Sequence, residues 1–252
     1  RYAMTANSDN LGAAPSARIA GWFAASGAPY APEMCRRTPA DVKGGHLAVR
    51  KSDGRIILRD TAQTPEDQMH YFTDQFRHPF FHTNNLWFDL KVLRDTLADR
   101  GGILGLPLIR NSKTVDPADS SSTPVIQLET AMGAAVEAFE GATAIEVPRS
   151  RFLPVKTTND LLLVRSDVYK VDDDGLLQMV PDQACTVSLD PRFYKKIQDF
   201  EARFPNGVPS IKDAQSLTVE GDWTFGADVV ATGEAHVEAE GSPGRIADGT
   251  RI

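Results

Sequence analysis

Cysteine is scarce in this chain: Cys35 and Cys185 are its only two, and they lie far apart with no metal-ligand spacing. Such sparing use reads as a reduced, cytoplasmic setting and excludes a thiolate zinc module. No apolar run is long enough to span a bilayer, and no secretory leader is visible. No long Lys/Arg run occurs and the formal net charge is -7, which excludes a general binder of nucleic acid or of membrane surfaces. None of the five histidines (His46, His70, His78, His82, His236) has a Ser or Cys companion within a nucleophile motif. No His pair has zinc spacing with a third ligand either. What is present is 252 residues at 41% hydrophobic content, enough for one large domain or for one domain and a smaller one.

Tyr2 to Ala6 reads as a strand that ends in the turn formers Asn7-Ser8-Asp9-Asn10-Leu11-Gly12. A helix with Ile19, Trp22 and Phe23 inward follows. His46 to Lys51 and Arg55 to Thr61 are the arms of a hairpin turning at Ser52-Asp53-Gly54, with Ile56 and Leu58 on one face. The spacing of Leu86, Leu90, Leu93 and Leu97 predicts a helix stopping at Gly101-Gly102. Leu128, Met132, Ala135, Val136 and Phe139 predict a second, ending at Gly141. Asp190-Pro191 caps a third, carrying Phe193, Ile197, Phe200 and Phe204. Asp116 to Pro124 is polar and Ser-rich, and reads as a mobile loop. From Leu217 onward, short apolar pieces separated by glycine resemble the rungs of a β-helix, too few to close the stack without a cap or a partner.

The segment from Pro148 to Asp160 carries most of the chemistry. It sets Arg149, Arg151 and Lys156 around two prolines, Pro148 and Pro154, ahead of an apolar, strand-like run, Leu161 to Val164. Prolines stiffen a loop, and a fixed ammonium at a strand edge suits an anion that gains charge during reaction, phosphate above all. Asp9, at the end of the first strand, is either an Mg²⁺ ligand or the start of an Asx-turn. Lys43 beside Gly44-Gly45 is either an anion contact or a solvated residue at a hairpin entry. Glu33 and Asn84 can bond sugar hydroxyls or simply be polar neighbours of apolar residues. Thr83-Asn84-Asn85 interrupts an aromatic run, so its side chains belong to a binding site or to a buried network.

Five motifs then stand in order: Asn7 to Ala13, Ala40 to Gly45, Phe81 to Trp87, Val125 to Thr130 and Pro148 to Leu162. Together they resemble the UDP-glucose pyrophosphorylases (UTP–glucose-1-phosphate uridylyltransferases) of eukaryotic type, over nearly the whole chain. The resemblance implies a mixed-sheet, Rossmann-like α/β nucleotidyltransferase domain without its N-terminal part, followed by a small left-handed β-helix. Residues 1–175 would form the sugar side and carry the catalytic lysine, residues 176–210 a connecting helical region, and residues 211–252 the β-helix. It implies that UTP and glucose 1-phosphate give UDP-glucose and pyrophosphate, with Mg²⁺ as cofactor.

By match to the motifs, Lys156 would be the catalytic cation on the phosphates. Asn7, Ser8 and Asp9 would line the UTP side, with Asp9 on the metal. Asn84 would hold the glucose, with Glu33 and Lys43 on the sugar phosphate; Lys113 matches a further motif lysine with a lesser role. Two departures stand out: His82 where the family usually has Asn, and Asp60 where Glu is usual. The family's Gly-rich nucleotide loop would lie upstream of Arg1, so this segment alone is expected to be inactive and to need a partner. The family commonly self-associates through the β-helix, which implies a homo-oligomer. Two alternatives stay open: a catalytically silent assembly or binding subunit, and an enzyme for another sugar 1-phosphate such as galactose 1-phosphate.

Overall fold

The computed structural model describes the chain from Arg1 to Ile252 apart from residues 39, 40, 42, 43, 62, 63 and 118. It contains two units, one of Arg1–Asn7 with Pro15–Arg149 and one of Ser8–Ala14 with Ser150–Ile252.

The first unit runs β1 (Tyr2–Thr5), α1 (Ala17–Ser26), β2 (Tyr30–Arg36), β3 (His46–Val49), β4 (Ile56–Arg59), α2 (Met69–Phe72), β5 (Phe80–Asp89), α3 (Leu90–Asp99), β6 (Leu108–Thr114), β7 (Pro124–Thr130) and β8 (Ile145–Glu146). Its main sheet has the order β1-β5-β2-β8. β5 is antiparallel to β1 and to β2, and β8 is parallel to β2. Because successive side chains on a strand face opposite ways, Leu86-Trp87-Phe88 feeds two cores at once. Trp87 joins Phe23, Ala28 and Ala31 under α1. Leu86 and Phe88 join Tyr30, Leu58, Ala135, Val136 and Phe139 on the opposite side. The Ser16 hydroxyl caps α1 by accepting the Ile19 N–H, and Gly27 at φ 67° ends it. Phe23 is the buried residue of that helix, with Ile19 and Trp22 packed beside its cluster. The hairpin of β3 and β4 is antiparallel, and Ile56 and Leu58 pack in the same cluster, as the pattern predicts.

Three of the expected elements take another form. Leu86 lies in β5, and α3 starts four residues later, because the Asp89 carboxylate accepts the N–H groups of Lys91 and Val92. Its stop at Gly101-Gly102 stands, both glycines having positive φ. Leu128 lies on β7, paired with β6 along Leu108–Thr114, and only Met132–Ala138 is helical, as a 3₁₀ turn. The polar segment between β6 and β7 is a turn bonded to itself, with Ser122 Oγ donating to the carbonyls of Asp116 and Asp119.

The second unit contains α4 (Thr158–Arg165), β9 (Tyr169–Val171), β10 (Leu177–Met179), β11 (Thr186–Leu189), α5 (Pro191–Tyr194), α6 (Ile197–Arg203), β12 (Ala214–Val219), β13 (Trp223–Phe225), β14 (Gly233–Val237) and β15 (Gly244–Ile246). The run Leu161 to Val164 is helical, which corrects the strand expectation. Thr157 and Asp160 form a capping box, and that local closure decides the matter for an apolar run whose periodicity is ambiguous. Asp190-Pro191 does begin a helix, but an extended Lys196 splits the expected single helix into α5 and α6. Beyond them the strands stack in parallel ladders, β11-β12-β14 and β13-β15, with single parallel bridges joining Ser210, Val230 and Arg251. Val187, Leu217 and Ala235 align inward across the first ladder, as do Leu189 and Val219. Phe225 and Ile246 do the same in the second.

The turn Ser8–Ala14 is bound to Ser150–Val155 within this unit. Leu11 N–H donates to the Leu153 carbonyl (2.9 Å) and Val155 N–H to the Asp9 carbonyl (2.8 Å). Asn10, only 6% exposed, sits at the centre. Its Oδ1 accepts from Leu153 (2.8 Å) and Gly12 (3.2 Å), and its Nδ2 donates to the Arg151 carbonyl (3.1 Å). A Cβ on Gly12 would run into the Ser150 carbonyl, so the close approach requires glycine. Asn10→Ala strands the Leu153 N–H and the Arg151 carbonyl. It is expected to cost about 2–3 kcal/mol in urea unfolding and to speed hydrogen exchange at the Leu153 and Val155 amides.

Candidate active site

In the second unit, the clasp sets residue 9 directly across from residue 155, so Asp9 lies opposite the residue that precedes Lys156 although their motifs stand far apart in the chain. The backbone of Lys156 is fixed: its N–H donates to Asp160 Oδ2 (3.0 Å), the carboxylate that also accepts the Thr157 N–H (2.8 Å). Its side chain is exposed, and its ammonium makes no ion pair with any described residue. The other two cations of the segment are engaged. Arg149 pairs with Asp41 (2.7 Å) and lies over the Phe81 ring, and Arg151 donates to the Ala14 carbonyl (2.9 Å). Of the three cations in the proline loop, only Lys156 is left for a ligand. Because the capping box has already used the end of α4, the anion-attracting group here is that ammonium.

Asp9 Oδ1 is buried with no hydrogen-bond partner. Leaving a polar oxygen so placed unsatisfied costs about 1–3 kcal/mol or more, which a bound cation would relieve. A hard oxygen ligand of this kind fits Mg²⁺, which commonly takes one or two protein carboxylates and completes its shell with phosphates and water. The one close group of three metal-capable side chains among the described residues lies elsewhere, at Glu220, His236 and Glu238, all exposed. Ser8 is exposed on the turn beside Asp9.

In the first unit, β5 departs from regular pairing at Thr83-Asn84-Asn85. Pro32 pairs with Leu86 and Met34 with His82, so three residues of β5 oppose Glu33 alone. Thr83 Oγ1 donates to the Glu33 carbonyl (2.8 Å), and Asn85 Nδ2 donates to Glu33 Oε2 (2.9 Å). Glu33 Oε1 accepts the Trp87 indole N–H (2.9 Å). The Glu33 carboxylate is therefore fully buried, and it braces the bulge from behind. Asn84 takes the other direction. At φ 63°, it donates from Nδ2 to Asn7 Oδ1 (2.7 Å). The polar triplet is thus a buried network at Thr83 and Asn85 and a half-exposed amide at Asn84. Lys43 lies outside the described residues. Lys113 is exposed on β6, opposite Val125.

The family described as UTP–glucose-1-phosphate uridylyltransferase matches residues 1–231. The barley UTP–glucose-1-phosphate uridylyltransferase is 41% identical over 95% of this chain and 49% of its own. The chain belongs to this family. The yeast enzyme is 39% identical over 91% of the chain and 45% of its own length. The chain thus spans about half the length of the curated relatives it matches. A Leishmania major UDP-glucose pyrophosphorylase solved with UDP-glucose superposes with a TM-score of 0.82 at 44% identity, covering 100% of this chain and 56% of that one. A UDP-glucose phosphorylase from Trypanosoma brucei gives a TM-score of 0.85 at 41% identity, covering 100% and 55%. The mixed α/β nucleotidyltransferase-like fold follows from these matches. No helix among the described residues is long and apolar enough to cross a membrane.

Sequence reasoning left three contributors unassigned: Asn10, Arg149 as the partner of Asp41, and the His82 ring. Asn10 stood inside a quoted motif, but its partners Arg151 and Leu153 lie more than a hundred residues away and no local pattern reveals them. His82 Nδ1 accepts the Asn84 N–H (3.1 Å), while its Nε2 is buried without a partner. Burial lowers the His82 pKa to about 4. His46 is lowered to about 3, by burial first and then by His78, Arg37 and Arg59. Each of these rings stays neutral in the native state and takes up a proton when the chain unfolds below about pH 6.5. Their stabilising contribution is therefore complete above that value and is lost as pH falls toward 4. His82→Asn, which cannot titrate, should make the urea midpoint fall less steeply between about pH 6 and 5. An unchanged slope would show the native ring already protonated.

Proposed function

We propose that this chain carries the sugar side and the catalytic lysine of an enzyme that forms UDP-glucose and pyrophosphate from UTP and glucose 1-phosphate. A phosphate oxygen of the sugar phosphate attacks the α-phosphorus of UTP, the bond from that phosphorus to the bridging oxygen breaks, and pyrophosphate departs with the electron pair. Both substrates are anions, so the protein has to align them and offset charge that grows on the phosphates. The Lys156 ammonium does the second of these tasks, on a backbone fixed by Asp160 and with no competing carboxylate on its side chain. Asp9 would hold the Mg²⁺, whose contribution when bound is to neutralise phosphate oxygens. Asn7 and Ser8 line the UTP side, and Asn84 holds the glucose, with Lys43 on the sugar phosphate. Glu33 contributes from behind, by fixing the bulge that presents Asn84.

The observation that carries this reading is the hydrogen bond from Val155 to the Asp9 carbonyl. It joins a carboxylate with an orphaned oxygen to a loop whose lysine is unpaired. The parallel ladders of residues 211–252 we read as a small left-handed β-helix, its final coil a surface for self-association. A cytoplasmic setting accords with two cysteines kept as buried thiols.

Lys156→Ala is expected to lower turnover of the intact protein by about a hundredfold or more, with the unfolding midpoint unchanged. Normal turnover in the variant would remove Lys156 from the catalytic role, whereas no turnover in the parent protein would favour a silent, binding role. Asp9→Asn should raise the Mg²⁺ concentration for half-maximal rate by at least about tenfold while leaving the fold intact, which circular dichroism would verify. A panel of sugar 1-phosphates settles the acceptor. Glucose 1-phosphate is expected to be used, and its rejection in favour of galactose 1-phosphate would reassign the enzyme.

A further inference from the structure

The bulge in β5 creates a problem that its own backbone cannot solve. With three residues facing Glu33 alone, the Asn84 N–H has lost the ladder partner that a regular strand would supply. Asn84 also adopts φ 63°, a left-handed conformation that side-chain-bearing residues enter only when the surroundings hold them there. The group that holds it is two residues upstream. His82 Nδ1 accepts the Asn84 N–H at 3.1 Å, closing a small side-chain-to-backbone ring around the turn.

The imidazole is itself confined on several sides. The His82 N–H donates to the Gly45 carbonyl at 2.7 Å, and its residue pairs with Met34 on β2. Gly133 lies against the ring, where a Cβ would stand 2.9 Å from His82 Cε1 and equally close to Leu58 Cδ2. A ring so hemmed in cannot exchange one nitrogen for the other. Since the Asn84 N–H is a donor, Nδ1 carries no proton, and the proton sits on the buried, unpartnered Nε2. An orphaned Nε2 is the cost of having Nδ1 where the turn needs it. Thr83 and Asn85 fix the flanks of the bulge through Glu33, and His82 holds the backbone of its apex, whose side chain bonds Asn7.

We propose that His82 is a positioning residue for the sugar subsite: its Nδ1 holds the left-handed turn of β5 and thereby aims the Asn84 amide. This rests on the reading of Asn84 as the glucose contact. An asparagine at position 82 branches at the same carbon and offers an amide oxygen close to where Nδ1 stands, so it can serve the turn. A leucine fills similar space and offers no acceptor.

The test is steady-state kinetics of the intact protein with glucose 1-phosphate and UTP for His82→Leu, His82→Asn and Asn84→Ala, together with hydrogen exchange at the Asn84 amide. His82→Leu should raise the KM for glucose 1-phosphate about tenfold, the equivalent of one lost hydrogen bond, with kcat and the KM for UTP within about twofold. Exchange at Asn84 should accelerate by about the same factor in this variant alone. His82→Asn should stay within about threefold of the parent, rescuing both readouts. If His82→Leu changes neither the KM for glucose 1-phosphate nor the exchange rate, the proposal is overturned. Equal losses in His82→Leu and His82→Asn would overturn it too, since ring size and not the acceptor would then matter. If Asn84→Ala leaves the KM for glucose 1-phosphate unchanged, the glucose reading of Asn84 is what fails. Should His82→Leu not fold, the parent protein still decides through nitrogen NMR of the His82 ring. An Nε2–H tautomer supports the proposal, and an Nδ1–H tautomer or an imidazolium overturns it.

Discussion

The structure depends on a short antiparallel clasp with one asparagine at its centre. Asn10 gathers the Leu153 and Gly12 N–H groups on its carbonyl oxygen and gives its amide to Arg151. The clasp does two things at once. It satisfies buried backbone groups that a turn and a proline loop cannot pair internally, and it fixes which residues stand opposite each other. Because Val155 bonds the Asp9 carbonyl, the residue with the orphaned oxygen is pinned against the loop that carries Lys156. A one-residue slip would put Pro154 at a position that needs a donor, and proline has none. The prolines that stiffen the loop therefore also enforce its register.

A second constraint operates in the first unit by the same logic. A regular β5 would leave Asn84 alternating with its neighbours, its amide confined to one face of the sheet. The bulge instead turns Thr83 and Asn85 onto Glu33 and lifts Asn84 toward Asn7. A buried carboxylate needs several donors, and it finds them in the Asn85 amide and the Trp87 indole. Polarity in the middle of an aromatic core is thereby paired off, and the Asn84 amide is directed to Asn7.

Legibility followed the range of the interactions. Local signals could be read from the chain: Asp190 as a cap, Gly101 and Gly102 as a stop, and Ser52-Asp53-Gly54 as a hairpin turn. The errors arose where two periods fit one run. Leu161 to Val164 passes for a buried strand until Thr157 and Asp160 are seen as a capping box, a signal present in the sequence and passed over. Leu128 shares a helical spacing with Ala135 yet lies on an exposed hairpin, since that spacing ran across a strand boundary at Thr130. The candidate site was assembled as a set of residues through family motifs. Their division of labour was not legible, because it depends on pairings distant in sequence. Arg149 pairs with Asp41, and the Glu33 carboxylate is buried against β5, pairings that no local pattern reveals.

We propose that Asp9 and Lys156, brought to one loop pairing by the clasp, serve the same phosphates. The most direct measurement is a crystal structure of the intact protein with UDP-glucose and Mn²⁺, using the anomalous signal to locate the cation. The account predicts the Mn²⁺ on Asp9 Oδ1 and the Lys156 ammonium within hydrogen-bonding distance of a phosphate oxygen. A cation bound away from Asp9, or Lys156 turned into solvent with the nucleotide in place, would contradict it.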